Sequence, residues 1–391
     1  MKAANSTAEL LSSDFKVGIL GGGQLGKMLV LAANNWDLQT WVLDQSADFP
    51  AGPVARHFVE GSFKDEADVY AFGQQVDVLT IEIEHVNTDA LLRLQREGVL
   101  IHPRPEALVT IKDKGLQKQF YAAQDIPTAP FQLYADKAAV HAALDSGQLR
   151  LPFVQKSRTA GYDGRGVAVI RESADLEKLL PGPCVIEDLV DIEKEIAVVV
   201  ARNADGQVAC YPAVEMEFNP EANLVEFLFC PAALTSEQTA ACEALACRTI
   251  EAYDICGLLA VELFLTRQGE IWVNEVAPRT HNSGHHSIDA CQTSQFEQQL
   301  RAILNLPLGS TALHAPAVMV NLLGAPGHTG PVRCEGLADA LAIEGSHLHL
   351  YGKKMTKPFR KMGHATVVDT DLERAKSKAR QLLQTLKITA P

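Results

Sequence analysis

Two acidic residues interrupt a pair of apolar segments in the second half of the chain. Segments Leu259–Leu265 and Ile271–Val276 alternate as strands do and flank a short polar turn, which predicts a β-hairpin. Glu262 falls in the first strand and Asn274 and Glu275 in the second; a symmetric turn would place Glu262 opposite Asn274. Buried carboxylates need a cation, and Mg²⁺ commonly takes one or two of them together with substrate phosphates. The pattern predicts a metal site formed by these three residues; the alternative is that the acids simply face water.

A dense set of polar donors follows the hairpin, in the sequence RTHNSGHH. Arg279 and His281 are candidates for catalysis, and Asn282 and Ser283 for substrate binding. Two other interpretations remain open. His281 and His285 could bind zinc, although a third ligand of the right kind is not nearby. Asn282 or Ser283 could instead cap a helix.

The composition limits the kind of protein that the chain can be. It has 391 residues, which suggests two or three domains, and 47% hydrophobic with 21% charged residues, as in a soluble globular protein. A net charge of −13 argues against a nucleic-acid partner, and no apolar segment is long enough to span a membrane. The N-terminus lacks the layout of a signal peptide. Eight cysteines without a CxxC pair indicate reduced thiols and a cytoplasmic protein.

A glycine-rich loop lies near the start of the chain. Strand Lys16–Leu20 leads into GGGQLG, and a helical pattern and a second strand ending at Asp44 follow. This βαβ layout is typical of a dinucleotide site, although its physical content is only that glycine amides can approach an anion. NAD, a sugar phosphate and a purely structural turn are the alternatives. We name Gly23, Gln24 and Leu25 as candidate substrate-binding residues.

A later strand, Val76–Ile81, continues the alternation and predicts an open parallel sheet with helices on both faces. Glu82 and Glu84 follow it directly. Because ligands bind at the carboxyl ends of such strands, at least one of the two acids should face the ligand crevice, and we name Glu82. The alternative is that both are solvated loop acids.

The middle of the chain combines lysines with a second glycine-rich loop. Asp113–Gln124 is a predicted helix, and Leu151–Lys156 is a strand that ends in a lysine. The loop SRTAGYDGRG, residues 157–166, comes next, and its composition predicts a mobile segment that closes over phosphates. An ordinary surface loop is the alternative. Cys184–Ile186 is a short strand, and Glu195 lies in a further strand where an acid is unexpected.

The last eighty residues contain a basic segment. Strand Ala317–Leu323 begins a β-rich region, and Asp371–Leu386 is a predicted polar-faced helix. Between them, the segment LHLYGKKMTKPFRKMGH contains four lysines, one arginine and no acidic residue. This segment could bind a phosphate with combined Lys and Arg donors, or it could be a solvated loop.

The order of these motifs resembles that of an ATP-grasp ligase. The run NEVAPRTHNSGHH, together with GGGQLG, is specifically similar to the 5-(carboxyamino)imidazole ribonucleotide synthases of purine biosynthesis, from Lys16 to about His364. The resemblance implies a mixed α/β and α+β protein with three parts. These are an N-terminal open, parallel, Rossmann-like sheet (1–110), an ATP-grasp domain (111–310) with a mobile lid subdomain at about 118–200, and a small β-rich C-terminal domain (311–391).

The resemblance also implies roles for individual residues. ATP phosphates would meet Lys114 and Lys156, although relatives often have arginine where Lys114 stands, which could make a two-pronged contact. The adenine and hinge would be lined by Glu187, Asp188, Leu189 and Val190, and the ATP ribose would meet Glu195. Lid residues at ATP would be Gly161, Tyr162, Asp163, Gly164, Arg165 and Gly166. Catalytic residues would be Tyr162, Asp163, Arg165, Arg279 and His281. ATP and metal contacts would come from Asn274 and Glu275, with Glu262 on Mg²⁺. The substrate phosphate would meet Lys353 and Arg360.

The implied reaction uses ATP, bicarbonate and aminoimidazole ribonucleotide. Bicarbonate is a poor electrophile, and its activation as carboxyphosphate would need lysines, Mg²⁺ and exclusion of water. A formate-using ATP-grasp ligase acting on glycinamide ribonucleotide is the runner-up. An NAD-dependent dehydrogenase would leave the second glycine loop and the acid pair unexplained, and a non-catalytic nucleotide sensor would not keep the metal acids. A homodimer is expected from the resemblance alone.

Overall fold

The N-terminal part of the computed structural model is a parallel sheet, as predicted, and it has five strands. The structure describes residues 14–159, 166–219 and 224–391. Strand order is β3-β2-β1-β4-β5, with every pair parallel. The strands are β1 (Lys16–Leu20), β2 (Gln39–Asp44), β3 (His57–Glu60), β4 (Val78–Ile81) and β5 (Leu100–Ile101). The helices are α1 (Gln24–Asn34), α2 (Glu66–Gly73), α3 (Thr88–Arg96) and α4 (Pro105–Lys112).

Two of these strands were not predicted from the sequence. Strand β3 has four residues, of which the two ends are exposed, so it lacks the buried apolar run that marks β1 and β4. Strand β5 has only two residues. Both lie at the edges of the sheet, where fewer side chains are buried and the sequence signal is weak. The central strands β1 and β4, which carry the loops of interest at their carboxyl ends, are almost completely buried.

A four-stranded antiparallel sheet follows. Its order is β6-β9-β7-β8, and most of the glycine-rich loop between its strands β7 and β8 lies outside the described residues. The strands are β6 (Phe131–Tyr134), β7 (Phe153–Ser157), β8 (Val167–Ile170) and β9 (Cys184–Asp188). The helices are α5 (Lys114–Ala123) and α6 (Lys137–Asp145), with a 3₁₀ helix at Ser173–Lys178. Strand β9 is longer than predicted and includes Glu187.

The largest sheet has nine strands and runs across the rest of the chain. Its order is β15-β14-β10-β12-β13-β16-β21-β19, with β11 attached to β10. The strands are β10 (Ile192–Arg202), β11 (Val208–Cys210), β12 (Val214–Asn219), β13 (Leu224–Cys230), β14 (Gly257–Thr266), β15 (Ile271–Ala277), β16 (Ala317–Leu323), β19 (Ser346–Leu350) and β21 (Lys361–Val368). The helices are α7 (Ser236–Ala252), α8 (Ser287–Ala290) and α9 (Gln295–Ile303), with a 3₁₀ helix at Asn282–Gly284.

The C-terminal region extends this sheet and adds two short, separate two-stranded sheets. Strand β16 pairs with β13 on one side and with β21 on the other. Its remaining elements are β17 (Gly330–Pro331), β18 (Arg333–Glu335), α10 (Leu337–Leu341), β20 (Met355–Thr356), α11 (Leu372–Thr385) and β22 (Lys387–Thr389). Helix α11 begins after Asp371, close to the predicted position, and packs on β16 and β21 around a local apolar core. Among the described residues, no helix has the length and apolar character needed to cross a membrane.

Candidate active site

A cavity of about 630 Å³ lies between the N-terminal sheet, the β14–β15 hairpin and the segment that follows it. Ten of the predicted site residues meet there. The predicted residues that line it are Gln24, Leu25, Glu82, Lys114, Glu262, Glu275, Arg279, His281, Asn282 and Ser283. The predicted residues that the structure describes outside its lining are Gly23, Lys156, Gly166, Glu187, Asp188, Leu189, Val190, Glu195, Asn274, Lys353 and Arg360.

The acidic hairpin forms as predicted, but its register differs from the expectation. Glu262 lies opposite Glu275, and a β-bulge between this pair and the pair Leu263–Val273 leaves Asn274 unpaired on β15. The expectation that Glu262 faces Asn274 was therefore wrong. A bulge adds one residue to one strand, which no alternation pattern reveals. Its effect is to bring the two carboxylates side by side.

The two carboxylates have opposite protonation tendencies. Lys114 forms an ion pair with Glu275, and this cation lowers the pKa of Glu275 to about 2. Burial, followed by the neighbouring charge of Glu275, raises the pKa of Glu262 to about 8. One ammonium thus neutralises one acid, and the other favours its protonated form until a further cation arrives.

A buried ion cluster lies behind the hairpin. Glu187 is 3% exposed and forms ion pairs with Lys156 at 2.9 Å and with Lys118 at 3.1 Å. Lys156 also donates to Asn274 Oδ1 at 2.7 Å, which ties the four-stranded sheet to the hairpin. Burial, the largest effect, lowers the pKa of Lys118 to about 8. Sequence reasoning missed Lys118, because a lysine on a helix is usually solvated and its partner lies far along the chain.

Glu195 confirms its predicted place in a strand. It lies in β10 opposite Phe264 of β14, and burial raises the pKa of its carboxyl group. Asp188 ends β9 and is exposed, whereas Leu189 and Val190 are half-buried in the connection to β10. The adenine and ribose contacts assigned to these residues stay predictions.

The backbone amides of the first glycine-rich loop donate hydrogen bonds to carboxylates of the same chain. The amides of Gly23 and Gly26 donate to Glu82 at 2.6 and 2.5 Å, and the amide of Gly22 donates to Asp44 at 2.7 Å. A Cβ at Gly23 would lie 2.5 Å from Glu82 Oε1, so glycine is needed for this approach. Because Glu82 takes the position expected of an anion, the loop in this form does not present these amides to a dinucleotide.

The side chains of the donor-rich segment, residues 279–286, contact several different partners. Arg279 pairs with Glu84 at 2.9 Å, so both acids after β4 reach the cavity, Glu84 through this pair and Glu82 at the glycine loop. His281 Nε2 lies 3.7 Å from Glu262 Oε1, and its Nδ1 lies 2.9 Å from Ser283 Oγ.

The alternative that Asn282 or Ser283 caps a helix was wrong. The residue before the 3₁₀ helix is His281, and its ring accepts a hydrogen bond from the Ser283 amide. Asn282 instead exchanges side-chain hydrogen bonds with Asn321 of β16 at 2.9 and 3.0 Å, a partner that lies too far along the chain to be inferred.

The zinc alternative is not supported by the described residues. His285 is buried with its Nδ1 3.0 Å from Gln295, whereas His281 faces Glu262 and Ser283. No group of three or more His, Cys, Asp or Glu side chains suited to a metal was found in the described ranges. His285 contacts His364 with ring centroids 4.5 Å apart and planes tilted by 31°, and burial lowers the pKa of both rings.

The basic C-terminal segment meets the cavity through a residue that we did not predict. Lys361 lines the cavity, and its carbonyl accepts from Lys353 Nζ at 2.6 Å. Arg360 donates to the carbonyl of Met355 at 2.6 Å. The segment is therefore adjacent to the cavity, and Lys361 is its basic residue in the cavity lining. The charge run in the sequence pointed to the segment but could not select the residue.

The second glycine loop cannot be placed in this site. Gly161, Tyr162, Asp163, Gly164 and Arg165 lie outside the described residues. Gly166, which follows them, has φ = 80° and accepts a hydrogen bond from Ser157 N through its carbonyl. Before the loop, Arg158 pairs with Asp113 at 2.7 Å and lines the cavity.

Comparisons with known proteins match consecutive parts of the chain. The ribonucleotide synthetase preATP-grasp domain matches residues 15–112, the ATP-grasp domain residues 119–296, and the phosphoribosylaminoimidazole carboxylase C-terminal domain residues 317–378. The N5-carboxyaminoimidazole ribonucleotide synthase of Synechococcus elongatus is 41% identical over 357 residues, which covers 90% of this chain and 89% of that protein. The chain belongs to the N5-carboxyaminoimidazole ribonucleotide synthase family. The family resemblance seen in the sequence is confirmed.

Further relatives of this N5-carboxyaminoimidazole ribonucleotide synthase family member are similar in sequence, and the solved structures are similar in fold. The Bacillus subtilis synthase is 36% identical, and 90% of each chain is covered. The phosphoribosylaminoimidazole carboxylase of Saccharomyces cerevisiae is 38% identical, but this chain spans 64% of its length. The synthetase structure from Thermotoga maritima has a TM-score of 0.89 at 45% identity, covering 96% of this chain and all of that one. An Aspergillus clavatus structure in complex with ADP and 5-aminoimidazole ribonucleotide has a TM-score of 0.87 at 34% identity, covering 95% and 98%.

Family membership also confirms the predicted three-part architecture of N5-carboxyaminoimidazole ribonucleotide synthases: a parallel pre-ATP-grasp sheet, an ATP-grasp unit and a C-terminal unit. The contacts described above bear on the roles of individual residues within this architecture.

Proposed function

We propose that this chain is an ATP-dependent ligase that carboxylates 5-aminoimidazole ribonucleotide with bicarbonate, giving N5-carboxyaminoimidazole ribonucleotide, ADP and phosphate. One observation carries the proposal. The acidic hairpin with Lys114 and the segment Arg279–Ser283 line the same cavity, together with Glu82 of the N-terminal sheet. Groups suited to phosphoryl transfer and groups suited to a polar heterocycle therefore face one shared space.

The ATP end of the site is formed by cations and acids that already contact one another. Lys114 and Lys156 are held next to Glu275 and Asn274, so both ammonium groups point at the hairpin. Phosphoryl transfer needs positioning and charge neutralisation, and little covalent chemistry from the protein. Glu187 orients Lys156 from behind, because this buried carboxylate forms an ion pair with the lysine at 2.9 Å. Glu195, in the adjacent strand, is the proposed ribose contact.

The hairpin fits a magnesium ion. Glu262 and Glu275 are paired across the strands, and their unequal pKa values mark a pair that favours an additional cation. Two carboxylates with the rest of the shell from phosphates and water is the usual environment of Mg²⁺ in such enzymes. Asn274, on the bulge, would add an amide oxygen. A bound ion would neutralise charge on the ATP phosphates.

The reaction couples two steps in one enclosed space. Bicarbonate attacks the γ-phosphoryl group, ADP leaves, and carboxyphosphate forms. The exocyclic amine of the ribonucleotide then attacks the carboxyl carbon, phosphate departs, and the nitrogen loses a proton. Because carboxyphosphate would hydrolyse in water, the site must be covered. We assign that cover to the loop containing Tyr162, Asp163 and Arg165 on sequence grounds.

The nucleotide substrate would occupy the other end of the cavity. Arg279 and His281 line the cavity, with His281 Nε2 3.7 Å from Glu262 Oε1, and there they can stabilise negative charge on the transferring carboxyl group. Asn282 and Ser283 face the imidazole, with Gln24 and Leu25 beside them. The basic segment, through Lys361, Lys353 and Arg360, would meet the 5′-phosphate. Its position next to the cavity supports this assignment.

The test is phosphate release from ATP by the purified chain with MgCl₂. We expect release to depend on aminoimidazole ribonucleotide and to rise with added bicarbonate. Glycinamide ribonucleotide with formate is the rival pair, and a higher rate with that pair would overturn the proposal in favour of the runner-up. Calorimetry with NAD and NADP provides a further check: we expect no binding, because Glu82 holds the glycine-loop amides.

The assembly and location of the chain are part of the same proposal. We propose a cytoplasmic homodimer, on the basis of the family alone. Sedimentation velocity at micromolar protein concentration would distinguish a dimer of about twice 42.4 kDa from a monomer.

A further inference from the structure

Two cysteine thiols contact each other away from the cavity. Cys210 is the last residue of β11 and Cys247 lies on α7, and their Sγ atoms are 3.0 Å apart. A disulfide bond has a length of about 2.05 Å, so the sulfurs would need to approach by only about 1 Å. Both residues are half-buried, and neither lines the 630 Å³ cavity.

The backbone holds both thiols on regular elements. Cys210 pairs with Val200 of β10 in the antiparallel ladder, which fixes its position at the edge of the central sheet. Helix α7 packs on β10, β11 and β14, and both cysteines join the apolar core between helix and sheet. The contact is therefore a consequence of the packing of two structured elements and does not depend on a loop.

The environment distinguishes the two sulfurs. The hydrogen bond between the thiols lowers the pKa of Cys247 and raises that of Cys210, which burial raises further. Glu243 and Glu251 oppose the effect at Cys247, but the thiol contact is the larger cause. Cys247 is thus the sulfur that ionises first and acts as the nucleophile.

We propose that Cys210 and Cys247 form a redox modification site, in which a peroxide converts the two thiols to an intramolecular disulfide. The Cys247 thiolate attacks one oxygen of hydrogen peroxide, giving a sulfenic acid and releasing hydroxide, which takes up a proton. The Cys210 sulfur then attacks the Cys247 sulfur, the S–O bond breaks, and water leaves with the thiol proton. In total, two thiols are oxidised and one peroxide is reduced to two molecules of water. This proposal does not depend on the proposed reaction.

The bond would join α7 to the edge of the sheet that carries the acidic hairpin. It would close a loop between positions that are 37 residues apart, and such a bond stabilises mainly by restricting the unfolded chain. We therefore expect a higher melting temperature with turnover largely kept, because the bond lies outside the cavity.

The experiment treats the full-length reduced protein with a small excess of hydrogen peroxide and quenches with an alkylating reagent. Cleavage after glutamate is suited to the analysis, because it places Cys210 in peptide 196–215 and Cys247 in peptide 244–251. Cys230 and Cys242 fall in the separate peptides 227–237 and 238–243. We expect the loss of two thiols per chain, a cross-linked pair of the first two peptides, and a rise in Tm of roughly 3–8 °C that dithiothreitol reverses.

Matched variants identify the source of the rise. Cys247→Ser and Cys210→Ser should each lose the cross-link and the rise in Tm, whereas Cys334→Ser, which removes a half-buried thiol elsewhere, should keep both. Melting of each reduced variant shows whether it folds, and the peptide map of the wild type does not depend on any variant. Retention of all eight thiols, a cross-link between other positions, or bonds only between chains would each overturn the proposal.

Discussion

Glu262 and Glu275 lie directly opposite each other on neighbouring strands, and Lys114 forms an ion pair with Glu275. The arrangement is asymmetric in charge. The cation favours the ionised form of Glu275, and the resulting negative charge together with burial favours the protonated form of Glu262. A divalent ion placed at the pair would remove this conflict, because it stabilises both carboxylates at once.

The first prediction concerns Glu275→Gln. The amide keeps the shape of the side chain but removes the charge that holds Lys114 and the proposed Mg²⁺. We expect a folded protein whose Mg²⁺-dependent turnover falls at least about a hundredfold, as for loss of a group that stabilises phosphoryl charge. Phosphate release at saturating Mg²⁺ measures it. Glu270→Gln, an exposed acid in the turn of the same hairpin, is the control and should keep its activity. Near-normal turnover of Glu275→Gln would show that the pair does not bind the metal.

The second prediction is a pH dependence of Mg²⁺ binding. The pKa of Glu262 is raised to about 8, and the metal binds the ionised form. The apparent affinity should therefore rise by up to about tenfold per pH unit between pH 6.5 and 8 and then level off. Without metal, the folded chain holds this proton more tightly than the unfolded chain, so this group lowers stability as the pH rises from 4.5 towards 8.

Titration calorimetry with MgCl₂ and a non-hydrolysable ATP analogue at several pH values measures this dependence. In Glu262→Gln, which has no proton to lose at this position, the remaining Mg²⁺ affinity should vary little with pH. A wild type with a flat profile would contradict the assignment of the metal to Glu262.

The third prediction tests the basic segment. If Arg360 contacts the 5′-phosphate, Arg360→Ala should raise KM for the ribonucleotide roughly ten- to a hundredfold, equivalent to about 1.5–3 kcal/mol, and leave KM for ATP nearly unchanged. Added salt should weaken binding by the wild type more than by the variant. Arg333→Ala, an exposed arginine in the same region, is the control.

Lys361→Ala provides the comparison that the structure suggests, because Lys361 lines the cavity and Arg360 hydrogen-bonds to Met355. An effect of Lys361→Ala without one of Arg360→Ala would assign the phosphate to the lysine. Unchanged KM values for both variants would indicate that the segment is a solvated loop.

The fourth prediction concerns stability at mildly acidic pH. Burial lowers the pKa of His286 to about 4 from 6.5, so the unfolded chain binds the proton more tightly than the folded chain. Stability should therefore fall as the pH drops below about 6.5. His286→Asn, which retains a donor for the Ser283 carbonyl, should reduce the fall between pH 6.5 and 5.5 by about 1 kcal/mol in urea unfolding. His314→Asn, at an exposed position, is the control; an equal fall in both variants would contradict this role of His286.

Sequence patterns predicted those parts of the fold whose signal is local. Strand β1, the acidic hairpin and helix α5 all follow from periodicity and from turn and cap residues, and they lie close to the predicted positions. The position of the bulge at Asn274 could not be predicted from the sequence. It depends on how the two strands pair, and the alternation of apolar residues does not reveal it.

Contacts between residues far apart in the sequence explain why other features of the site were not predicted. Lys118 is buried because Glu187 arrives beside it from a strand 69 positions later, and neither residue alone indicates this. The glycine loop matched an anion-binding pattern correctly, but the anion is Glu82 of the same chain. The short-range motif predicted the type of partner, and only the fold reveals its identity.

The pairing of β13 with β16 makes the C-terminal unit part of the sheet that carries the acidic hairpin. Strands β14 and β15, with Glu262 and Glu275, and strand β21, which begins at Lys361, are thus joined by an unbroken series of hydrogen-bonded ladders. A hinge between them would have to break such a ladder. The sheet therefore keeps Lys361 at a constant distance from the Glu262–Glu275 pair, which sets one dimension of the cavity.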